Sequence, residues 1–203
     1  MVTDKRKVYV LDLLTNGEDA TRIMIGTLGW EADSYELVPC GKHREIFRRL
    51  HEHGGYAAYP HWNTLILELN EEVLDHLNDY VDQGLKFDPV SKLTMKITHV
   101  LATPKRVRSM TQIEGVYVSG PVEKQCSNFL TGPEMVGVKI LGVDSTAAAA
   151  EKVSSIKSGG INMACICTRR AAEVKGLKII KESVGNVSEN FSKFLLIRKI
   201  DII

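Results

Sequence analysis

The chain has 203 residues, enough to bury a substantial core, and this length suits one large domain or two small lobes. Its 26 lysines and arginines nearly cancel its 25 aspartates and glutamates, so no overall charge attracts nucleic acid or an anionic membrane. No apolar run approaches the length of a membrane span, and the first run contains Asp12. These features favour a cytoplasmic protein with neither a nucleic-acid partner nor a membrane partner.

The first half of the chain alternates strand-like and helix-like patterns. Apolar or β-branched runs predict strands over residues 8–14, 35–39 and 56–59, the last stopped by Pro60. Apolar residues at helical spacing predict helices over residues 18–28, 42–53 and 71–83. The βαβαβ order predicts an α/β protein with a largely parallel sheet and right-handed crossovers.

The second half repeats the alternation after a long predicted strand over residues 93–102. The further predicted strands cover residues 116–119, 138–143, 161–166, 177–180 and 194–197, and the helices cover residues 123–130, 146–156 and 169–175. Two successive βα alternations predict two lobes. We expect the chain to cross to the second lobe near Lys92 and to return near Gly176.

Neither the cysteines nor the histidines have the spacing of metal ligands. Cys165 and Cys167 are two residues apart in a predicted strand, so both point to one face, and we expect buried, reduced thiols. His51 and His53 lie two apart on a predicted helix and face different ways. We therefore expect no metal site.

Polar side chains follow several predicted strands at the point where each strand ends. They are Asn63, Thr64, Ser119, Ser145 and Thr146. Ligands of open α/β sheets bind beyond the carboxyl ends of the strands, where helix N-termini offer free N–H groups to a carboxylate or phosphate. The same residue types are preferred as helix N-caps for structural reasons, so the ligand and the capping interpretations both stay open.

Short segments along the chain match, in order, the motifs of one enzyme family. Ser192, Lys193 and Phe194 stand where that family has a Thr-Arg-Phe triplet. The other matches are segment 60–64 (PHWNT, for PIENS), 97–99 (ITH, for ISH), 116–126 (VYVSGPVEKQC, for VYSHPQALAQC, with one residue fewer from the serine to the glutamine), 144–150 (DSTAAAA, for STAxAA) and 171–177 (AAEVKGL, for RAAELYGL). By these motifs the chain resembles the prephenate dehydratase family over nearly its whole length.

The resemblance implies a fold and a reaction. The fold is α/β, two-lobed and periplasmic-binding-protein-like (type II), with largely parallel sheets and a central cleft. One family domain covers residues 1–203, with lobe 1 at about 1–92 plus 176–203 and lobe 2 at about 93–175. The implied activity is that of a lyase on prephenate, a small dicarboxylate, in phenylalanine biosynthesis, without a metal or other cofactor.

The resemblance also implies roles for individual residues. It assigns Ser192 to the departing hydroxyl of the substrate and Lys193 to a carboxylate. Substrate binding falls to Asn63, Thr64, Ser119, Ser145, Thr146 and Phe194. Lysine in place of the family's arginine keeps the charge but loses the bidentate fork, so we expect carboxylate binding to be weaker or differently angled.

Two departures from the family pattern leave alternatives open. The family's N-terminal GPxGTFS loop is represented only by segment 15–21, and the Thr-Arg-Phe triplet is altered. A non-aromatising prephenate decarboxylase, with His61 as the proton donor, and a non-catalytic small-carboxylate-binding protein are therefore alternatives to a dehydratase. No ESRP motif of a regulatory ACT domain is present, so feedback control by phenylalanine is not expected, and a homodimer stays open.

Overall fold

The computed structural model describes residues 5–65, 69–157 and 160–200, and the chain divides into two compact units. Unit 1 comprises Met1–Lys96 and Phe191–Ile203, and unit 2 comprises Ile97–Asn190. The first crossing lies four residues beyond the expected Lys92. The return comes after Asn190 instead of near Gly176, because the strand that follows Gly176 pairs within the second sheet.

Ten strands and seven α-helices lie within the described residues. The strands are β1 (Arg6–Val10), β2 (Tyr35–Pro39), β3 (Tyr56–Asn63), β4 (Phe87–Lys96), β5 (Val100–Thr103), β6 (Gly115–Ser119), β7 (Lys139–Val143), β8 (Met163–Cys167), β9 (Lys178–Lys181) and β10 (Phe191–Lys199). The helices are α1 (Asn16–Thr27), α2 (His43–His53), α3 (Leu69–Asp82), α4 (Gly120–Gln125), α5 (Ser127–Leu130), α6 (Thr146–Ser154) and α7 (Arg169–Val174).

The sheet of unit 1 has the strand order β2-β1-β3-β10-β4. Strand β1 is parallel to β2 and β3, whereas β10 is antiparallel to both β3 and β4. The core between this sheet and helices α2 and α3 contains Tyr9, Ile46, Phe47, Leu50, Ala57, Tyr59, Val73, Leu77 and Ile197. Strand β10 therefore lies inside a sheet whose other strands come from the first half of the chain.

The sheet of unit 2 has the order β7-β6-β8-β5-β9. Strand β6 is parallel to β7 and β8, and β5 is antiparallel to β8 and β9. In each sheet two strand pairings are parallel and two are antiparallel. We expected largely parallel sheets, but only half of the pairings in each sheet are parallel. The antiparallel pairings arise because the strand that enters after a crossing runs against its neighbours.

Several predicted elements differ in their bounds. The first strand, predicted over residues 8–14, is β1 and ends at Val10, and the last, predicted over residues 194–197, is the longer β10. The long strand over residues 93–102 is divided into β4 and β5, because the backbone N–H of Ile97 donates to the carbonyl of Asn190 (2.7 Å) between them. The helix over residues 123–130 is divided into α4 and α5 at Cys126. The strand predicted to stop at Pro60 continues as β3 to Asn63.

Candidate functional site

An irregular pairing of β3 with β10 positions the family's altered triplet. Ser192 lies opposite Asn63 and Lys193 opposite Trp62, but Phe194 lies opposite Pro60, so His61 is an extra residue on β3. Such a β-bulge accommodates a proline, which lacks the N–H that a regular ladder uses, and it redirects the neighbouring side chains. Directly opposed residues share a face of the sheet, so Asn63 and Ser192 meet.

A buried hydrogen bond joins the Asn63 and Ser192 side chains. Asn63 Nδ2 donates to Ser192 Oγ (2.8 Å) and to the Phe191 carbonyl (3.1 Å), and the Leu65 N–H donates to Asn63 Oδ1 (2.9 Å). These bonds fix the direction of the amide, so Ser192 Oγ is an acceptor from it. Among the described residues the Ser192 hydroxyl donates to no acceptor, and its proton is therefore available to a ligand.

Thr64 is committed to the pairing with β10. Its hydroxyl accepts from the Phe191 N–H (2.9 Å) and lies 3.1 Å from the Phe191 carbonyl, while its own N–H donates to that carbonyl (2.9 Å). Because the hydroxyl already has a donor and an acceptor, Thr64 fixes the beginning of β10 where Ser192 lies. Its predicted direct contact with substrate stays a prediction.

Positive charge and an imidazole lie beside the bulge. Lys193 Nζ is 4.6 Å from the centre of the Trp62 ring. Burial, and then the charge of Lys193, lower the pKa of His61 below its usual 6.5, and His61 Nδ1 is buried without a partner among the described residues. His61 is thus largely neutral at pH 7, where an imidazole accepts a proton more readily than it supplies one.

Phe194 lies in the interior of unit 1. It pairs with Pro60 on one side and with Leu93 on the other, and only 3% of it is exposed. Little of its surface is left for the predicted contact with a ligand. Its burial fixes β10 against its neighbours, and burying a side chain of this size contributes about 2 kcal/mol.

Predicted polar residues of unit 2 lie at the carboxyl ends of its parallel strands. Ser119 ends β6, and Ser145 and Thr146 follow β7. Ser145 Oγ accepts from the Ala148 N–H (3.0 Å) as the N-cap of α6, as the capping interpretation requires. The hydroxyls of Ser119 and Thr146 make no hydrogen bond with any described residue, although these residues are only 4% and 7% exposed. Both hydroxyls are available to a ligand.

A buried polar group that the sequence analysis did not assign to the site lies in the same unit. His99, Gln125 and Asn190 are 2%, 5% and 1% exposed and are joined by hydrogen bonds. In the sequence, His99 was marked only by the match of segment 97–99 to a family motif. The partners could not be predicted, because 26 and 65 residues separate Gln125 from His99 and Asn190.

The N-terminus of α1 is already occupied by a carboxylate of the chain. Glu18, which is 2% exposed, accepts from the Leu14 N–H (2.6 Å) and pairs with Arg22 (2.7 Å). Thr15 caps the helix by accepting from the Glu18 N–H (3.3 Å), and Leu14 has a left-handed φ of 58°. Segment 15–21, which stands for the family's GPxGTFS loop, therefore leaves little of this helix end to an external anion.

Residues 5–65, 69–157 and 160–200 contain neither a cluster of metal ligands nor a helix that could cross a membrane. No cluster of three or more histidine, cysteine, aspartate or glutamate side chains in this part of the chain has a geometry that could hold a metal ion. None of its helices combines the length and the apolar character needed to cross a membrane.

Two mixed sheets, each completed by a strand that enters after a crossing, define the two-lobed α/β fold of periplasmic binding proteins. A putative methionine-binding lipoprotein of Bacillus subtilis matches with a TM-score of 0.51 and 10% identity over 96% of this chain and 83% of its own. The prephenate dehydratase of Arthrobacter aurescens, solved in complex with L-Phe, matches with a TM-score of 0.76 and 18% identity over 97% of this chain and 60% of its own. The family model for prephenate dehydratase matches residues 14–201, and the chain belongs to this family.

Curated relatives agree with this assignment. The bifunctional chorismate mutase/prephenate dehydratase of Aquifex aeolicus is 25% identical over 189 residues, which are 92% of this chain and 48% of the relative. The prephenate dehydratase of Methanocaldococcus jannaschii is 24% identical over 198 residues, 97% of this chain and 65% of its own. The chain thus spans about half the length of the first relative and just under two thirds of the second.

Proposed function

We propose that the chain is a lyase that converts prephenate into phenylpyruvate by joint loss of the ring hydroxyl and carbon dioxide. One observation carries the proposal: the Ser192 hydroxyl is fixed as an acceptor by Asn63 and keeps its proton for a ligand. Membership of the prephenate dehydratase family and the named activities of the relatives support it.

The proposed reaction needs little from the protein besides positioning and one proton donor. The bond between the ring and its carboxylate breaks, the electron pair enters the ring, and the bond to the hydroxyl breaks on the far side. The carboxylate leaves as carbon dioxide, and the hydroxyl takes up one proton and leaves as water. Aromatisation drives the reaction, and a hydrogen bond from Ser192 strengthens as negative charge develops on the departing oxygen.

Within this proposal Lys193 binds a carboxylate, and its position over Trp62 holds the ammonium group near the bulge. Ser119 and Thr146 are the donors that unit 2 offers to a ligand, since neither hydroxyl bonds to a described residue. Both units belong to one family domain over residues 1–203, which is supported by the span of the family model. A place in phenylalanine biosynthesis, in the cytoplasm, follows from the proposed substrate.

The non-aromatising decarboxylase is less well supported than the dehydratase. That reaction requires a proton donor to the ring diene, and His61 was the candidate. Burial and the neighbouring Lys193 lower the pKa of His61, which disfavours the protonated imidazole at pH 7. The available Ser192 proton, by contrast, favours departure of the hydroxyl.

Incubation of the purified protein with prephenate tests the proposal. Phenylpyruvate, followed by its ultraviolet absorbance, and an equal amount of carbon dioxide are expected. Ser192→Ala should lower kcat by about a hundredfold or more, whereas Ser192→Thr should maintain or raise it. Carbon dioxide without an aromatic product would indicate a decarboxylase, and tight binding without turnover would indicate a non-catalytic protein.

A further inference from the structure

In unit 2 a buried hydrogen-bonded network of three side chains determines which ring nitrogen of His99 carries the proton. Gln125 Oε1 lies 3.1 Å from His99 Nε2 and 2.6 Å from Asn190 Nδ2. The Asn190 amide nitrogen can only donate, so Gln125 Oε1 acts as an acceptor toward it. The same oxygen must then accept from His99, and the ring proton of His99 therefore resides on Nε2.

The other ring nitrogen of His99 is consequently an acceptor with a free lone pair. Nδ1 is buried and has no hydrogen-bond partner among the described residues. Leaving a buried polar atom unpaired costs about 1–3 kcal/mol, so such an atom calls for a reason beyond the packing of the core. The protonated ring is disfavoured as well, because burial lowers the pKa of His99.

His99 lies at the edge of the sheet where a ligand of unit 2 is expected. It directly precedes β5, which is antiparallel to β8, so the beginning of β5 lies beside the carboxyl end of β8. Val100 pairs with Cys167, the last residue of β8, and β6, which ends at Ser119, is the parallel neighbour of β8. The same edge thus carries Ser119, whose hydroxyl has no partner among the described residues, and His99, whose buried Nδ1 lacks one as well.

We propose that His99 is a ligand-binding residue of unit 2 whose Nδ1 accepts a hydrogen bond from a hydroxyl group of its ligand. This inference rests on the proposed function for the identity of the substrate. Gln125 and Asn190 are positioning residues, because they place the ring proton on Nε2 and leave Nδ1 as an acceptor. A carboxylate has no proton to offer at neutral pH, so this nitrogen selects for a hydroxyl and not for an acid group.

Nitrogen NMR of histidine-labelled protein tests the proposal directly. The Ser192→Ala variant is used because slow turnover preserves prephenate, and the His99 signals are identified by their loss in His99→Asn. We expect Nδ1 of His99 to be unprotonated and without a hydrogen bond in the free protein. Saturation with prephenate should shift this signal toward the hydrogen-bonded range, whereas phenylpyruvate, which lacks the ring alcohol, should not shift it.

Three results of this measurement overturn the proposal. They are a proton on Nδ1, an Nδ1 signal already hydrogen-bonded in the free protein, and an unchanged signal when calorimetry shows that prephenate is bound. A failure of the proposed function has a different signature, because the parent protein then forms no phenylpyruvate whatever the His99 signals do. The exposed His53 serves as the internal control whose signals should not respond.

A matched pair of variants separates the two nitrogens by kinetics. In His99→Asn the side-chain oxygen can lie near the position of Nδ1. In His99→Gln the longer side chain reaches toward Gln125 and leaves no acceptor at the position of Nδ1. For the parent Ser192 protein we expect His99→Gln to raise KM for prephenate about tenfold and His99→Asn to raise it less. Equal effects of the two variants, or a larger effect of asparagine, would assign His99 to the network alone.

Discussion

The Asn63 side chain presents its amide nitrogen, a donor, to Ser192 Oγ. This contact determines whether the Ser192 hydroxyl can donate its own proton to a ligand. A donor at this position makes Ser192 Oγ accept, which leaves the serine proton for another acceptor. An acceptor at the same position would take that proton. The activity proposed for Ser192 therefore depends on a neighbour that lies 129 residues away in the sequence.

Replacing Asn63 with aspartate tests this dependence with almost no change in shape. The carboxylate would accept the Ser192 proton, so we expect Asn63→Asp to lower kcat for prephenate by about a hundredfold, with a smaller change in KM. The loss should not add to that of Ser192→Ala, because both variants remove the same donor. Asn128→Asp, on the exposed surface of α5, is the matched control, and additive losses would contradict the prediction.

At the residue scale the sequence predicted positions better than contacts. Its motifs brought attention to Asn63, Ser192 and Lys193, which the structure places on two paired strands. The extra residue in β3 is not predictable from the sequence, because a proline usually ends a strand and a bulge depends on the partner strand. The environment of His99 was missed for a related reason, since its partners are distant in sequence.

A second residue-scale prediction concerns stability in acid. Burial, and then the positive charge of His76, lower the pKa of His43 from its usual 6.5 to about 4, and its Nε2 is buried without a partner among the described residues. The unfolded chain binds this proton more readily, so the free energy of unfolding should fall as the pH falls from 6.5 to 4. The limit is about 3 kcal/mol, and partial exposure of the ring reduces it.

Urea unfolding at several pH values measures this dependence. The His43→Asn variant, which carries no titrating group there, should flatten the dependence between pH 6.5 and 4. His53→Asn is the matched control at the other end of α2, where the side chain is 60% exposed. An unchanged slope in His43→Asn would show that other groups cause the loss of stability in acid.

At the scale of elements, Ser145 shows how a cap and a ligand contact can be separated. Its hydroxyl caps α6 through the Ala148 N–H. We expect Ser145→Ala to lower the free energy of unfolding by about 1 kcal/mol and kcat/KM less than about threefold, because capping is its main role. Ser145→Asn, which retains a capping oxygen, should restore the stability, and a tenfold loss of kcat/KM in both variants would assign Ser145 to the ligand.

Local periodicity predicted most elements because short-range spacing determines which face of a helix or strand is apolar. It could not predict how β4 and β5 separate, since the break depends on the contact between Ile97 and Asn190. Local periodicity also does not predict which strand pairs with which in a sheet. An apolar run such as β9 looks the same in either sheet, which is why the return crossing was expected near Gly176.

At the scale of the whole molecule, the two units differ in how they are assembled from the chain. Unit 2 is one uninterrupted segment, Ile97–Asn190, whereas unit 1 combines the first segment with the last. The strand that completes unit 1 lies between β3 and β4, so those two strands have no direct pairing to each other in the finished sheet. The family resemblance gave the number of lobes correctly, but not the residue at which the second segment of unit 1 begins.

The interior position of β10 has a consequence for the order of folding during synthesis. Unit 2 is complete once residue 190 has left the ribosome, while the sheet of unit 1 has a gap until Phe191–Lys199 emerges. Closing that gap joins residues far apart in the sequence, such as Phe191 with Lys96 and Ser192 with Asn63, which is slow compared with local pairing. The later half of the gene product should therefore reach its native state before the earlier half.

Pulsed hydrogen exchange during refolding can follow this order. Backbone amides of β6 and β8 should become protected before those of β3 and β10. A chain that ends at Asn190 lacks β10 and should protect the amides of β6 and β8 but not those of β3. Simultaneous protection of both sheets would show that the units fold as one. In the expected order, a nascent chain exposes the unpaired edges of β3 and β4 longest, and these edges are where aggregation or chaperone binding should begin.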